Sequence, residues 1–385
     1  MTILKSLSRL MIILTISVGA NYTYAQTEAR SMNVITTGVP FLNISPDARA
    51  GGMGDVGVAS TPDVNSIFWN PAKYAFIESD AGLSTSYAPW LRNVADDMGL
   101  GTVSGFMKLD DRSAIGGSLR FFSLGNIQFT DERGENLGDF SPNELALDGC
   151  YSRQLSPHLS LAVAGRYIRS QLTGDNLPAE QQAVPASSYA TDVALYYWKD
   201  LNLSDMDGRF SFGVNISNMG AKISYIESAS TDEFKDFIPT NLRFGPSLTL
   251  DIDDYNSISF HFDVNKLLVP SPQLDKENAK YSEDVNVVTG IIQSFYDAPG
   301  GFNEELQEYN LAGGIEYWYD KMFAIRGGYF NEVAYKGDRK YFSLGTSLRY
   351  NVFNLDMSYL IPAGTTEHPL KGTVRFTLSF FFNDL

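Results

Sequence analysis

Fourteen segments of about nine to thirteen residues, several alternating cleanly between apolar and polar side chains, constrain this chain more than any other feature. They lie near 81–90, 99–108, 113–123, 143–154, 158–170, 188–198, 209–218, 240–252, 256–266, 309–319, 321–331, 340–350, 352–361 and 371–382. Phe353, Leu355, Met357, Tyr359 and Ile361 oppose Asn354, Asp356 and Ser358. Phe210, Phe212, Val214 and Ile216 oppose Ser211, Gly213, Asn215 and Ser217, and Val374, Phe376, Leu378, Phe380 and Phe382 oppose Arg375, Thr377 and Ser379. A period of two puts successive side chains on opposite faces of a strand. The length is what a tilted strand needs to cross a bilayer. Beyond the first 25 residues no apolar run approaches 18, so a membrane could be crossed only by a closed barrel.

A soluble sandwich also alternates, so the connections decide. After even-numbered segments they are tight, at 110–112, 155–157, 253–255, 320 and 351, with 199–208 the longest. After odd-numbered ones they run to 124–142, 171–187, 219–239 and 267–308, with shorter ones at 91–98, 332–339 and 362–370. Short turns on one rim and long loops on the other mark an outer-membrane barrel. The chain is therefore expected to be all-β, a fourteen-stranded antiparallel transmembrane barrel with both termini on the periplasmic, short-turn side.

The N-terminus agrees. Lys5 and Arg9 flank the apolar run Leu10 to Val18, and Thr23-Tyr24-Ala25 precedes Gln26, the pattern of a secretory signal over 1–25. Removing Lys5 and Arg9 from 29 Lys and Arg leaves 27 against 45 Asp and Glu, or −18, which argues against a nucleic-acid partner. The single Cys150 precludes an internal disulfide. No Pro- or Ser-rich linker divides the mature chain of about 360 residues. The expected layout is 26–80 as a periplasmic extension and lumenal hatch, then 81–385 as barrel.

The stretch Asp47 to Ala75, rich in Gly and small residues and without sustained periodicity, is what the wall would enclose. Gly52, Gly54 and Gly57 spell G-x-G-x-x-G, yet Ser45-Pro46-Asp47 before them and Pro62 after them supply neither the strand nor the helix of a dinucleotide site. Glycines here let backbone approach backbone. On the inward face of the wall fall Arg120, Arg166, Arg243, Arg326, Arg349 and Arg375 with Asp148, Asp251, Asp263, Glu316 and Asp356. Facing lipid, basic charges would each cost about 2–4 kcal/mol at midplane. Inward, they line an ion path or, since the signs are mixed, form a salt-bridge network holding the hatch.

The run Gly51-Gly52-Met53-Gly54-Asp55, then Trp69 and Asn70-Pro71-Ala72, resembles the N-terminal hatch of the FadL superfamily of fourteen-stranded barrels. With Val34 to Leu42, Ser45 to Ala50 and Trp69 to Ala75, it is similar to the PorV family of the type IX secretion system in Bacteroidota. That resemblance implies an outer-membrane carrier, without enzymatic activity, cofactor or metal. It would receive cargo by its C-terminal domain at the SprA translocon and pass it to an attachment complex containing the sortase-like PorU. The hatch residues carried over are Gly51, Gly52, Gly54, Trp69, Asn70, Pro71 and Ala72.

A carrier needs an external handle. Val285, Val288, Ile291, Ile292 and Phe295 are spaced for one helix face, with Ser282 as N-cap and Gly300 beyond the end. With Tyr296 and Phe302 this loop either presents an apolar surface to cargo or SprA, or folds over the mouth as a lid. Two other classes remain open: a FadL-like transporter of hydrophobic solutes, needing an apolar pocket at the hatch, and a lipopolysaccharide deacylase. His158, His261 and His368 lack metal-ligand spacing and G-x-S-x-G is absent, which disfavours the last.

Overall fold

The computed structural model describes residues 33–91, 97–130, 133–134, 136–172, 184–203, 206–225, 235–272, 285–364 and 370–383. The signal sequence and His368 lie outside them. Fourteen strands close an antiparallel barrel: β1 (Ala81–Pro89), β2 (Met98–Asp110), β3 (Ser113–Leu124), β6 (Asn143–Ser156), β7 (Leu159–Gln171), β8 (Ala186–Leu203), β9 (Met206–Gly220), β10 (Asn241–Asp251), β11 (Asn256–Leu267), β12 (Tyr309–Tyr319), β13 (Phe323–Asn331), β14 (Lys340–Tyr350), β15 (Phe353–Pro362) and β16 (Val374–Phe382). Each pairs with its neighbour in the chain, and β1 pairs with β16 to complete the ring.

The two faces are inverted relative to a soluble protein. Leu83, Val103, Leu119, Leu147, Val163, Phe260, Ile325, Leu355 and Met357 point outward and are exposed, whereas Ser84, Ser104, Ser118, Ser347 and Thr377 are buried inside. An apolar belt around a polar interior is stable only when the belt meets hydrocarbon. Asp320, Lys321 and Asn351 adopt positive φ, which lets the short turns reverse; Asp and Asn enter that region more readily than most residues.

Two connections differ from expectation. Within the expected 199–208 connection, 199–203 and 206–208 are strand: Lys199 pairs with Phe210 and Leu201 with Gly208, so β8 and β9 outrun β10, which stops at Asp251 opposite Asp207. Between β3 and β6, β4 (Ile127–Thr130) and β5 (Asn136–Phe140) form a separate two-stranded sheet.

The segment from Asn33 to Ile77 threads the interior. Its first described residue is on the long-loop rim, where Asn33 donates to Glu304 and to the Tyr335 carbonyl. Phe41 then stacks on Phe122 within a cluster near that rim, and Tyr74 stacks on Phe106 close to the other. Asp80 finally donates its backbone N–H to Phe382 at the short-turn rim. From Asn33 onward the described segment runs from the long-loop rim to the short-turn rim, and the start of the expected periplasmic extension, 26–32, lies outside the described residues. Strand parity fixes where β1 starts but says nothing about a non-periodic segment preceding it.

Candidate functional site

Within the barrel, backbone meets backbone. Positions opposite the inner segment are glycine because a Cβ there has no room: at Gly328 it would lie 2.0 Å from the Met53 carbonyl carbon, and at Gly213 2.1 Å from the Val58 oxygen. At Gly54, whose φ is +78°, a Cβ would lie 2.7 Å from the Tyr329 backbone nitrogen. Asp47 caps the one-turn helix Ala48–Gly51 through the Ala50 N–H and also accepts from Trp69 Nε1 at 2.6 Å.

The Asn-Pro-Ala run has a specific geometry. Asn70 Oδ1 accepts from the Ala72 N–H, capping the 3₁₀ turn Pro71–Phe76, while Nδ2 donates at 2.9 Å to both Val58 O and Leu195 O. Pro71 begins that turn, where its missing N–H costs nothing. Ala72, fully buried against Ala162, Ala194 and Tyr196, receives Ser152 and Ser160 hydroxyls at its carbonyl. One motif thus joins the inner segment to β6, β7 and β8.

Most of the expected inward charges pair, and strand register explains how. Glu316 is opposite Arg326 and Asp148 opposite Arg166 in the ladder. Arg326 bridges Glu316 and Asp356, and Arg49 of the inner segment reaches Glu316 and Asp63. Arg166 joins Asp148 to Asp192 and Asn218; Arg120 also contacts Asp148, at 3.3 Å. Arg375 holds Asp55, which also accepts from the Tyr341 hydroxyl.

Four members behave otherwise. Asp251 is exposed at the end of β10 and lies outside the buried network, because the barrel wall ends there. Asp263 receives the Gly57 and Val58 N–H groups instead of an arginine. Arg243 donates to neutral Asn265 and lies over Trp69. Among the described residues, the Arg349 guanidinium lies against the Trp318 and Phe381 rings and has no hydrogen-bond partner. Missed partners include Asp192, legible from parity in 188–198, and Arg49, Asp55 and Asp63, hidden in a stretch without periodicity.

On the long-loop rim the loop helix is Val287–Gln293, capped by Asn286, which accepts from the Thr289 N–H; this replaces Ser282, which lies outside the described residues. Its Gly290 packs on Phe237 and Pro270, so Val288 and Ile292 turn outward; beyond the helix Phe295, Tyr296, Phe302 and Leu306 are exposed as well, Phe302 at 74%. Ile291 is half-buried, and Val285 is buried with Phe237 and Val269 instead of joining the exposed face. Beneath the loop, Lys266 bonds Glu305 and Glu308, and Lys336 bonds Glu304 and Glu308. Burial, reinforced by Glu308 and Glu305, pushes nearby Asp297 up to about 6.

A cleft of about 310 Å³ near the same rim is lined by Phe41, Ile44, Trp90, Met98, Phe122 and Leu370, with Asp55 and Arg339 among its walls. Of the described histidines, His261 is buried beside Ser247 and His158 packs on Trp198; no contact joins the two.

A family model described as "Type IX secretion system protein PorV" matches residues 26–274. No curated protein matches the chain. Among solved structures, the Pseudomonas putida toluene transporter TodX is similar at 11% identity and TM-score 0.48, covering 92% of this chain and all of that one. A Pseudomonas aeruginosa FadL homologue gives 13% and 0.42, covering 92% and 100%. LpxR from Salmonella typhimurium gives 9% and 0.35, covering 78% and 100%.

Proposed function

The chain belongs to the PorV family of type IX secretion system proteins, and on that premise we propose that it is a cargo carrier of the outer membrane. In this reading the short turns face the periplasm and the long loops the exterior. The loop surface receives the C-terminal domain of a secreted protein at a SprA-type translocon and delivers it to a PorU-type attachment complex. The observation that carries the reading is the outward apolar face of the loop: Val288, Ile292, Tyr296 and Phe302 are each more than half exposed. A set of large apolar side chains exposed to water on one loop, held by the buried Lys266 and Lys336 pairs beneath it, suits a protein partner better than a lid.

The inner segment supports a carrier over a conduit. Direct backbone contact at Gly213 and Gly328 and the Asn70 bonds leave the hatch fixed to the wall, so cargo is handled from outside the lumen. Charging Val288 and Phe302 together tests the proposal. Secretion of type IX cargo should fall while the barrel still assembles, and undiminished secretion would reject this surface.

One observation favours a second reading, transport of hydrophobic solutes. The aromatic cleft beside Phe41 and Trp90 has the size of a small-ligand pocket and adjoins the hatch at Asp55. An apolar molecule retained through purification and released by Phe122→Asp would support it.

A further inference from the structure

We propose that Arg349, flanked by Trp318 and Phe381, is a binding position for a small oxyanion, carboxylate or phosphate, at the short-turn mouth of the barrel. Its guanidinium carbon is 4.9 Å from the Trp318 ring centre and 5.6 Å from that of Phe381. All three side chains are half-buried, and Arg349 is the second-last residue of β14, its backbone N–H bonded to Met322 O beside the β12–β13 turn.

Among the described residues the Arg349 side chain has no hydrogen-bond or ion-pair partner, and its Nε is buried. The other inward arginines are matched: Arg120, Arg166, Arg326 and Arg375 meet carboxylates, and Arg243 meets Asn265. The acids nearest in the network are already engaged. Glu316 takes Arg49 and Arg326, and Asp356 takes Arg326 and the Asn354 amide. Asn354, directly opposite Arg349 in the ladder, has its amide oxygen occupied by the Ser347 hydroxyl.

Ring contact stabilises the cation but uses none of its five N–H donors. Those donors form a planar fork that matches a two-oxygen anion, and half-burial strengthens the bond by excluding part of the water. The mouth therefore offers a preformed cationic fork whose donors no described side chain takes.

The test uses the full chain in detergent at matched ionic strength, with inorganic phosphate and a short glutamate-rich peptide as probes and chloride as reference. At least one probe should raise the midpoint of heat-induced unfolding and give a binding isotherm by calorimetry. Arg349→Gln should weaken that binding about tenfold or more, as loss of a charge-assisted bond implies, and Arg349→Lys should restore part of it. Arg153→Gln, at an exposed arginine bonded to Tyr151, should leave it unchanged. A phosphate response alone identifies a free anion, and a peptide response identifies an acidic segment of a protein. No response of the native chain to either probe, or an Arg349→Gln protein that binds as the native one does, overturns the assignment. Calorimetry on the native chain decides even if the variant fails to fold.

Discussion

Arg49 of the inner segment and Glu316 of β12 are joined by two hydrogen bonds inside the barrel, 3.0 Å from Nε and 2.8 Å from Nη2. The same carboxylate takes Arg326 from β13, so one group fastens the inner segment to two strands. Removing one member leaves a charge stranded in a buried site. Arg49→Met should therefore lower unfolding free energy by about 3–5 kcal/mol. Lys340→Met, which removes a partly exposed pair with Asp338, should cost about 1 kcal/mol or less. Urea titrations of the two variants in detergent compare them, and equal costs would contradict the fastening role.

Asn70 and Pro71 are adjacent but contribute differently. Asn70→Ala leaves the Val58 and Leu195 carbonyls without their donor and uncaps the following turn, for an expected loss of about 2–4 kcal/mol. Pro71→Ala keeps every hydrogen bond and should cost about 1 kcal/mol. Gel mobility of unheated against boiled samples, read across a temperature series, ranks them. Pro71→Ala proving the more damaging would undo this account of the motif.

Gly327 and Gly328 are neighbours in β13 that face opposite ways. A Cβ at Gly328 collides with Met53 and Gly54 backbone, whereas at Gly327 it meets nothing within 4 Å. Gly328→Ala should sharply reduce the folded fraction, and Gly327→Ala should fold normally. If both variants assembled alike, the inner segment would not occupy the position described.

These three cases show what the sequence disclosed. The alternation of Phe353 to Ile361 assigned the faces of β15 correctly, since period-two patterning directly reports which side meets lipid. Parity placed Glu316 and Arg326 on the inward face, and only the strand register set them opposite each other. The direction of the inner segment was not legible, because Asn33 to Asp47 has no periodicity and its position depends on contacts with Glu304, Tyr335 and Phe237 far along the chain. The outward face of the loop helix was only half legible: spacing marked Val288 and Ile292, but burial of Val285 depends on Phe237 from another loop.

Asp297 gives the long-loop rim a pH dependence. Its carboxyl is raised to about 6, so the folded loop binds that proton more tightly than the unfolded chain does. Its contribution is complete below about pH 4 and is lost as pH rises through about 6. Amide exchange over 285–308 should therefore be slower at pH 5 than at pH 7 after correction for intrinsic rates. Asp297→Asn should flatten the difference; a rim that tightened with rising pH would show the wrong sign.

The carrier account is tested most directly by purifying the tagged protein from native membranes in mild detergent and identifying by mass what accompanies it. The account predicts a large translocon barrel, together with secreted proteins retaining their C-terminal domains, and loss of both when Val288 and Phe302 are charged. Recovery of the folded barrel with no polypeptide partner, and with an apolar small molecule held beside Phe41 and Phe122, would contradict it.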